Sequence, residues 1–244
     1  IQAQAGQHAE AIVTFQRYLD EFKQGAERFA VRNALGEEQL LTGNLLAARL
    51  TWTDLARDAE TPAAADPKVA DLRAQALYRV SRTHGAPAPP NDTAANLAIA
   101  ALKRYLAAYP AHKFAVKAAY ELAQCSMQRN RAEDALAAYR AFLAKQGFQV
   151  EDEEAKKDFA QLSMNATFQV GAILNGQRKF EDAIATWKSY LAQFPNGPES
   201  AAAQGQILNA ELLIAEDLLT RKDYEKARAL WTSFAARNPL DGRV

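Results

Sequence analysis

One short pattern occurs six times along this chain of 244 residues. In each copy an alanine is followed four residues later by a large apolar residue, and a second one follows after three more, as in Ala183, Trp187 and Tyr190. Positions with this spacing lie on one face of an α-helix. Recurrence of such a face at intervals of several tens of residues is typical of stacked helical units. The six alanines are Ala11, Ala48, Ala98, Ala135, Ala183 and Ala227.

A second apolar stripe precedes each complete copy, for example Phe159, Ala166 and Val170 before the copy at Ala183. Two helices separated by a short turn pack as an antiparallel pair. Glycine and asparagine between the stripes predict the left-handed residue that ends a helix. The pattern therefore predicts an all-α chain of about 11 helices with no strand. Three of the predicted turns are Thr42-Gly43-Asn44, Arg129-Asn130 and Asn175-Gly176-Gln177.

The second helix of each pair resembles the tetratricopeptide repeat. The clearest copy is Phe-Glu-Asp-Ala-Ile-Ala-Thr-Trp at residues 180–187, followed by Tyr190 and a closing Pro195. The first-helix signature of the family is also present, as Leu35-Gly36 and Val170-Gly171, with Leu122-Ala123 and Ile214-Ala215 as variants. The resemblance implies a right-handed α-solenoid, in which the small residue lets neighbouring helices approach closely.

The alanines are spaced 37, 50, 37, 48 and 44 residues apart, which is wider than the usual repeat of the family. Long first helices at 151–175 and 199–221, and an inserted loop at 84–92, explain the excess. Three prolines in that loop predict an extended, solvated segment, after which Asn91 or Asp92 caps the next helix. Because the first unit lacks a first helix, we expect a fragment of a longer chain. The predicted units are 1–24 (partial), 25–60, 68–110, 113–147, 152–196 and 199–240.

Composition excludes several function classes. Lys plus Arg and Asp plus Glu are both 29, so the chain lacks the positive field that nucleic acids require. No apolar run is long enough to insert into a membrane. Cys125 is the only cysteine and is expected in the core. His8, His84 and His112 have no metal-site spacing, so we expect solvated or helix-capping histidines. We therefore predict no enzyme, no cofactor and no metal site.

The family resemblance implies that first helices line a concave groove that contacts a protein or peptide. The implied groove positions are neutral, amide-rich and partly aromatic, which suits an extended peptide. Tyr78, Tyr120 and Phe168 are the expected anchors, and the alternative is that these rings pack against the neighbouring helix. The Lys/Asn clamp for a chaperone's C-terminal carboxylate is not reproduced. The predicted groove residues are Tyr78, Arg82, Lys117, Tyr120, Gln124, Asn165, Phe168 and Asn209.

Three functional hypotheses follow. The first is a non-catalytic scaffold that binds a protein or peptide in the groove. The second is a helical module of a larger protein, such as an envelope or protease-trapping one, and the third is a helical toroid enzyme. The phrase Ala-Leu-Lys-Arg-Tyr-Leu-Ala-Ala-Tyr-Pro at 101–110 is similar to bacterial cell-envelope tetratricopeptide proteins of the outer-membrane assembly lipoprotein and Tol-Pal accessory types. That likeness implies a periplasmic or envelope location.

Overall fold

A computed structural model describes residues 7–25, 27–144, 152–239 and 242. Over these ranges the chain forms eleven α-helices, one short 3₁₀ helix at Pro62–Ala64 and no strand. The prediction of an all-α chain with about this number of helices is confirmed. The helices are α1 (His8–Glu21), α2 (Glu27–Leu41), α3 (Leu45–Asp58), α4 (Pro67–Thr83), α5 (Asp92–Ala108), α6 (Ala115–Met127), α7 (Ala132–Ala144), α8 (Glu153–Gly176), α9 (Phe180–Gln193), α10 (Ser200–Thr220) and α11 (Tyr224–Arg237).

The described residues fall into two compact units. The N-terminal unit runs to Ala138 and takes in the start of α8 up to Phe159, and the C-terminal unit comprises Tyr139–Ala144 and the described residues from Ala160 onward. In the N-terminal unit each helix from α1 to α6 packs against the next one, and α2 also contacts α4 directly. In the C-terminal unit α9 packs on α10, and α10 packs on α11. None of the described helices is long and apolar enough to cross a membrane.

The repeated alanine face is the buried face of the second helices. All six alanines are buried. Trp52 and Trp187, four residues after their alanines, are both 0% exposed. Burial of such large rings is a major source of stability in a small helical unit. The predicted seam is therefore confirmed at the alanines and at both tryptophans.

Five first helices end in the same hydrogen-bonded turn. In each, a residue with positive φ is followed by an amide that donates to a carbonyl near the end of the helix, as from Asn44 to Gln39 at 2.8 Å and from Lys179 to Leu174 at 2.9 Å. This geometry is the Schellman motif. The left-handed residues are Gly43 (φ 77°), Gly85 (89°), Asn130 (55°), Arg178 (60°) and Lys222 (62°).

The predicted left-handed positions are confirmed at Gly43 and Asn130, but the prediction for residues 175–177 is wrong. There the helix continues through Gly176, and Arg178 takes the positive φ. Arg178 stands at the same distance before Ala183 as Gly43 does before Ala48. The turn is therefore positioned by the buried alanine of the next helix and not by the most permissive residue nearby.

The prediction of an extended, solvated insert at 84–92 is also wrong. Gly85 ends α4 with the same Schellman motif as the other first helices, in which the amide of Ala86 donates to the Ser81 carbonyl at 3.2 Å. Ala86 and Pro89 are buried, so the segment folds back as a packed turn. The predicted cap is confirmed, since the side chain of Asn91 accepts from the amide of Ala94 at 2.8 Å.

Candidate functional site

A polar network lies on the first helices of the N-terminal unit, here called the first-helix face and made by α2, α4 and α6. At the α2–α4 contact, the Asn33 side chain donates to Gln75 Oε1 at 3.4 Å. The guanidinium of Arg79 donates to Asn33 Oδ1 at 3.2 Å and forms an ion pair with Glu37. Polar side chains thus cross-link successive first helices, which holds this face in a fixed shape.

Glu121 of α6 is the buried centre of a second set of polar contacts, with Tyr78 and Arg82 of α4. The residue is 3% exposed. Its carboxylate accepts from the Tyr78 hydroxyl at 3.0 Å and from Arg82 Nη1 at 2.9 Å. Burial raises the pKa of Glu121, while the charges of Arg82 and Lys117 and the Tyr78 hydrogen bond act in the opposite direction. Burial and the neighbouring Glu121 raise the pKa of Tyr78.

Tyr78 and Tyr120, two of the expected aromatic anchors, are not outward-facing. They are 7% and 6% exposed. The Tyr78 ring packs against Phe114 and Tyr105, with centroids 5.1 Å and 5.6 Å away. For Tyr78 the structure shows the alternative, packing against neighbouring helices, and Tyr120 is equally buried. For Tyr78 the reason is that α4 packs against α2, α3 and α5, so its apolar face is wider than one stripe.

The polar residues predicted on this face are more accessible. The Arg82 side chain is 39% exposed although its guanidinium pairs with Glu121. Lys117 is exposed and Gln124 is half-buried. Within the ranges that the structure describes, Lys117 forms no ion pair. Lys117, Glu121 and Gln124 follow one another at helical spacing, so they share one face of α6.

In the C-terminal unit, Phe168 is half-buried and packs against two rings of α9. Its centroid is 6.2 Å from that of Trp187 and 6.3 Å from that of Tyr190. Its carbonyl accepts from the Trp187 indole at 3.2 Å. The contacts of Phe168 are therefore those of a packing residue. Asn165 is half-buried and Asn209 is exposed, and their contact with a partner stays a prediction.

The histidines have structural contacts. His112 was expected to be solvated or capping, but its ring bonds the Tyr105 hydroxyl at 2.7 Å and Asp71 at 2.9 Å. The ring also accepts from the amide of Phe114, just before α6, at 3.3 Å, so the capping alternative agrees with the structure and the solvated one does not. His84 follows the last residue of α4, at the expected capping position. His8 pairs with Glu38 at 2.5 Å.

Cys125 is in the core, as predicted. Burial, with Glu121 nearby, raises the pKa of its thiol to about 12, so the reactive thiolate is disfavoured. Among the residues that the structure describes, no three His, Cys, Asp or Glu side chains come together as a metal site.

Sequence reasoning missed Glu121 and Arg79. Glu121 lies inside the apolar run Tyr-Glu-Leu-Ala at 120–123. An acidic residue in such a run is the signal that could have identified it, since a buried carboxylate requires a partner.

Comparison with family models finds a match over part of this face. Residues 92–149 match the family model described as tetratricopeptide repeat. The matched residues include α5, α6 and α7, and therefore Lys117, Tyr120 and Gln124. Tyr78 and Arg82 on α4 come just before the matched residues.

Two similar solved structures are both of a Podosopora anserina putative kinesin light chain with nearly identical TPR-like repeats. One is of a form with a single substitution and is 14% identical, with 89% of this chain and 97% of that chain covered and a TM-score of 0.45. The other is 13% identical, with 90% and 99% covered and a TM-score of 0.45. No curated protein sequence matches the chain.

Proposed function

We propose that this chain is a non-catalytic binding protein whose first-helix face contacts an extended, acidic peptide segment. Tetratricopeptide repeats generally mediate protein–protein interactions, and residues 92–149 match the model of that repeat. The proposal extends this general role to one face of the N-terminal unit and to one class of peptide.

The observation that carries the proposal is that two cations, Arg82 and Lys117, both lie close enough to act on the buried Glu121. The half-buried Gln124 follows Glu121 by three residues, on the same face of α6. Glu121 is buried beneath them, so its contact with Arg82 fixes the guanidinium without covering it. A peptide carboxylate can pair with Lys117, and Gln124 can donate to and accept from a peptide backbone. Because the rings of Tyr78 and Tyr120 are buried, recognition on this face is mainly polar.

The test is selection from a displayed random peptide library, followed by affinity measurement on the chain and two variants. Lys117→Gln is expected to weaken the binding of the selected peptides about tenfold, which corresponds to about 1.4 kcal/mol of binding free energy. Lys188→Gln is the matched control, because Lys188 is an exposed lysine on the second helix α9. Selected peptides are expected to be acidic. Peptides that bind both variants as tightly as the parent would contradict the proposal.

A further inference from the structure

A small apolar cavity lies within the N-terminal unit, between α3, α4 and α5, and does not include the first-helix face residues discussed above. Its volume is about 220 Å³. Leu77 and Val80 of α4 line it, with Ala56 of α3 and Ala101 of α5. Leu97, which also lines the cavity, is 46% exposed. The lining is therefore aliphatic and open to solvent at one side.

Two basic side chains, His84 and Arg104, also line the cavity, together with the hydroxyl-bearing Thr53. Arg104 is exposed, and in the part of the chain that the structure describes it has no ion pair or hydrogen bond. His84 is half-buried, and burial, followed by the charge of Arg49, lowers its pKa. The Arg49 guanidinium is held by the carbonyl and hydroxyl of Thr83 at 2.7 Å and 3.0 Å. Arg104 is thus the cation that remains available for an anion.

We propose that this cavity binds a short unbranched aliphatic carboxylate, with the chain against Leu77 and Val80 and the carboxylate paired with Arg104. The charge complementarity is the argument: an unpaired guanidinium at an aliphatic cavity favours a ligand with one apolar end and one anionic end. The volume is below the roughly 300–1,000 Å³ of typical drug-sized sites. The polar side chains in the lining are Thr53, His84 and Arg104, which are too few hydrogen-bond partners for a sugar or a nucleotide.

The experiment titrates octanoate into the full chain by calorimetry, with octanol as the uncharged comparison. Saturable octanoate binding is expected, with octanol at least about tenfold weaker because it lacks the charge for Arg104. Arg104→Gln is expected to weaken the binding of octanoate about tenfold. Lys103→Gln, a neighbouring exposed lysine outside the cavity lining, is expected to leave the affinity unchanged.

A second variant tests the chain-binding part of the cavity. Ala101→Leu places extra volume in the cavity and is expected to abolish octanoate binding while the far-ultraviolet circular dichroism spectrum is retained. The proposal is overturned by an absence of saturable octanoate binding, by equal binding of octanol, or by equal losses in the Arg104 and Lys103 variants. Tighter binding of a short peptide ending in leucine would also overturn it, because the cavity would then be a site for a chain terminus.

Discussion

Gly171 of α8 lies directly against the indole of Trp187 of α9: a Cβ on this glycine would be 2.6 Å from Trp187 Cε2. Gly36 has the same relationship to Trp52, with the same sequence separation and the same distance to Cε2. The two contacts belong to different compact units. A glycine on the first helix and a tryptophan on the second are therefore one repeated packing element, which the first-helix and second-helix signatures describe together.

The first prediction concerns that contact. Gly171→Ala is expected to lower the free energy of unfolding by about 1–3 kcal/mol, because an added methyl group overpacks against the fully buried indole. The measurement is urea denaturation followed by circular dichroism. Gly205→Ala is the matched control, since Gly205 is also in a helix and a Cβ there would meet nothing within 4 Å.

The control is expected to raise the free energy of unfolding by about 0.5–1 kcal/mol, the usual gain for alanine over glycine within a helix. Equal effects of the two substitutions would show that the Trp187 ring moves aside easily. The close approach of α8 and α9 would then not depend on glycine.

The second prediction concerns the extent of cooperative unfolding. Trp187→Ala is expected to cost about 3–5 kcal/mol, as for other large aromatic truncations in a core. In a repeat chain each unit depends mainly on its neighbours. Hydrogen exchange should therefore accelerate in α8, α9 and α10 before it does in α2 and α3. A uniform loss of protection along all helices would contradict this expectation.

The third prediction separates a packing residue of α6, Tyr120, from a proposed binding residue, Lys117. Tyr120→Ala is expected to cost about 3–5 kcal/mol because the ring is buried. Lys117→Gln should change the free energy of unfolding by less than about 0.5 kcal/mol because this lysine is exposed. Thermal melts of both variants make the comparison. If the Tyr120→Ala protein melts like the parent, the ring does not contribute to the core, and the hypothesis that it lies at the groove surface is favoured.

The fourth prediction concerns pH. Because burial raises the pKa of Glu121 above its ordinary value, the folded state binds the proton more tightly than the unfolded state does. The contribution of this group to stability is therefore largest at low pH, and it is lost as pH rises from the ordinary glutamate pKa through the raised value. Glu121→Gln removes this titration.

The measured quantity is the unfolding free energy of the parent minus that of Glu121→Gln at several pH values from about 4 upward. Taking this difference cancels carboxylates with lowered pKa, such as Asp58 and Asp92, whose contributions change in the opposite direction. The difference is expected to fall with increasing pH. A difference that rises with pH would mean that Arg82 and the Tyr78 hydroxyl outweigh burial.

The helices and their seam could be predicted from the sequence because both depend on local spacing. Ala183 and Trp187 share a face by helix geometry alone, and burial follows once a second helix is adjacent. The left-handed turn at Arg178 could not be predicted from residue preference, since its position is set by the packing of the following helix. The packed turn at 84–92 could not be predicted either. It depends on which distant residues cover Ala86 and Pro89, and the local sequence pattern does not contain that information.

The polar part of the first-helix face was also predictable in part. Arg82, Lys117 and Gln124 follow from the family pattern and are accessible. The sequence pattern placed Tyr78 and Tyr120 beside them because the pattern describes one helix against one neighbour. The burial of Tyr78 results from further neighbours such as Phe114, which only the three-dimensional arrangement supplies. The location in a cell envelope stays a prediction from the resemblance.

Hydrogen exchange with a library-selected peptide bound to the intact chain tests most directly the claim that the first-helix face is the binding surface. The predicted result is slower exchange in α4 and α6, Pro67–Thr83 and Ala115–Met127, on peptide binding, with little change in α3 and α5. Slower exchange confined to Leu45–Asp58 and Asp92–Ala108 would contradict the claim and place the peptide on the second helices.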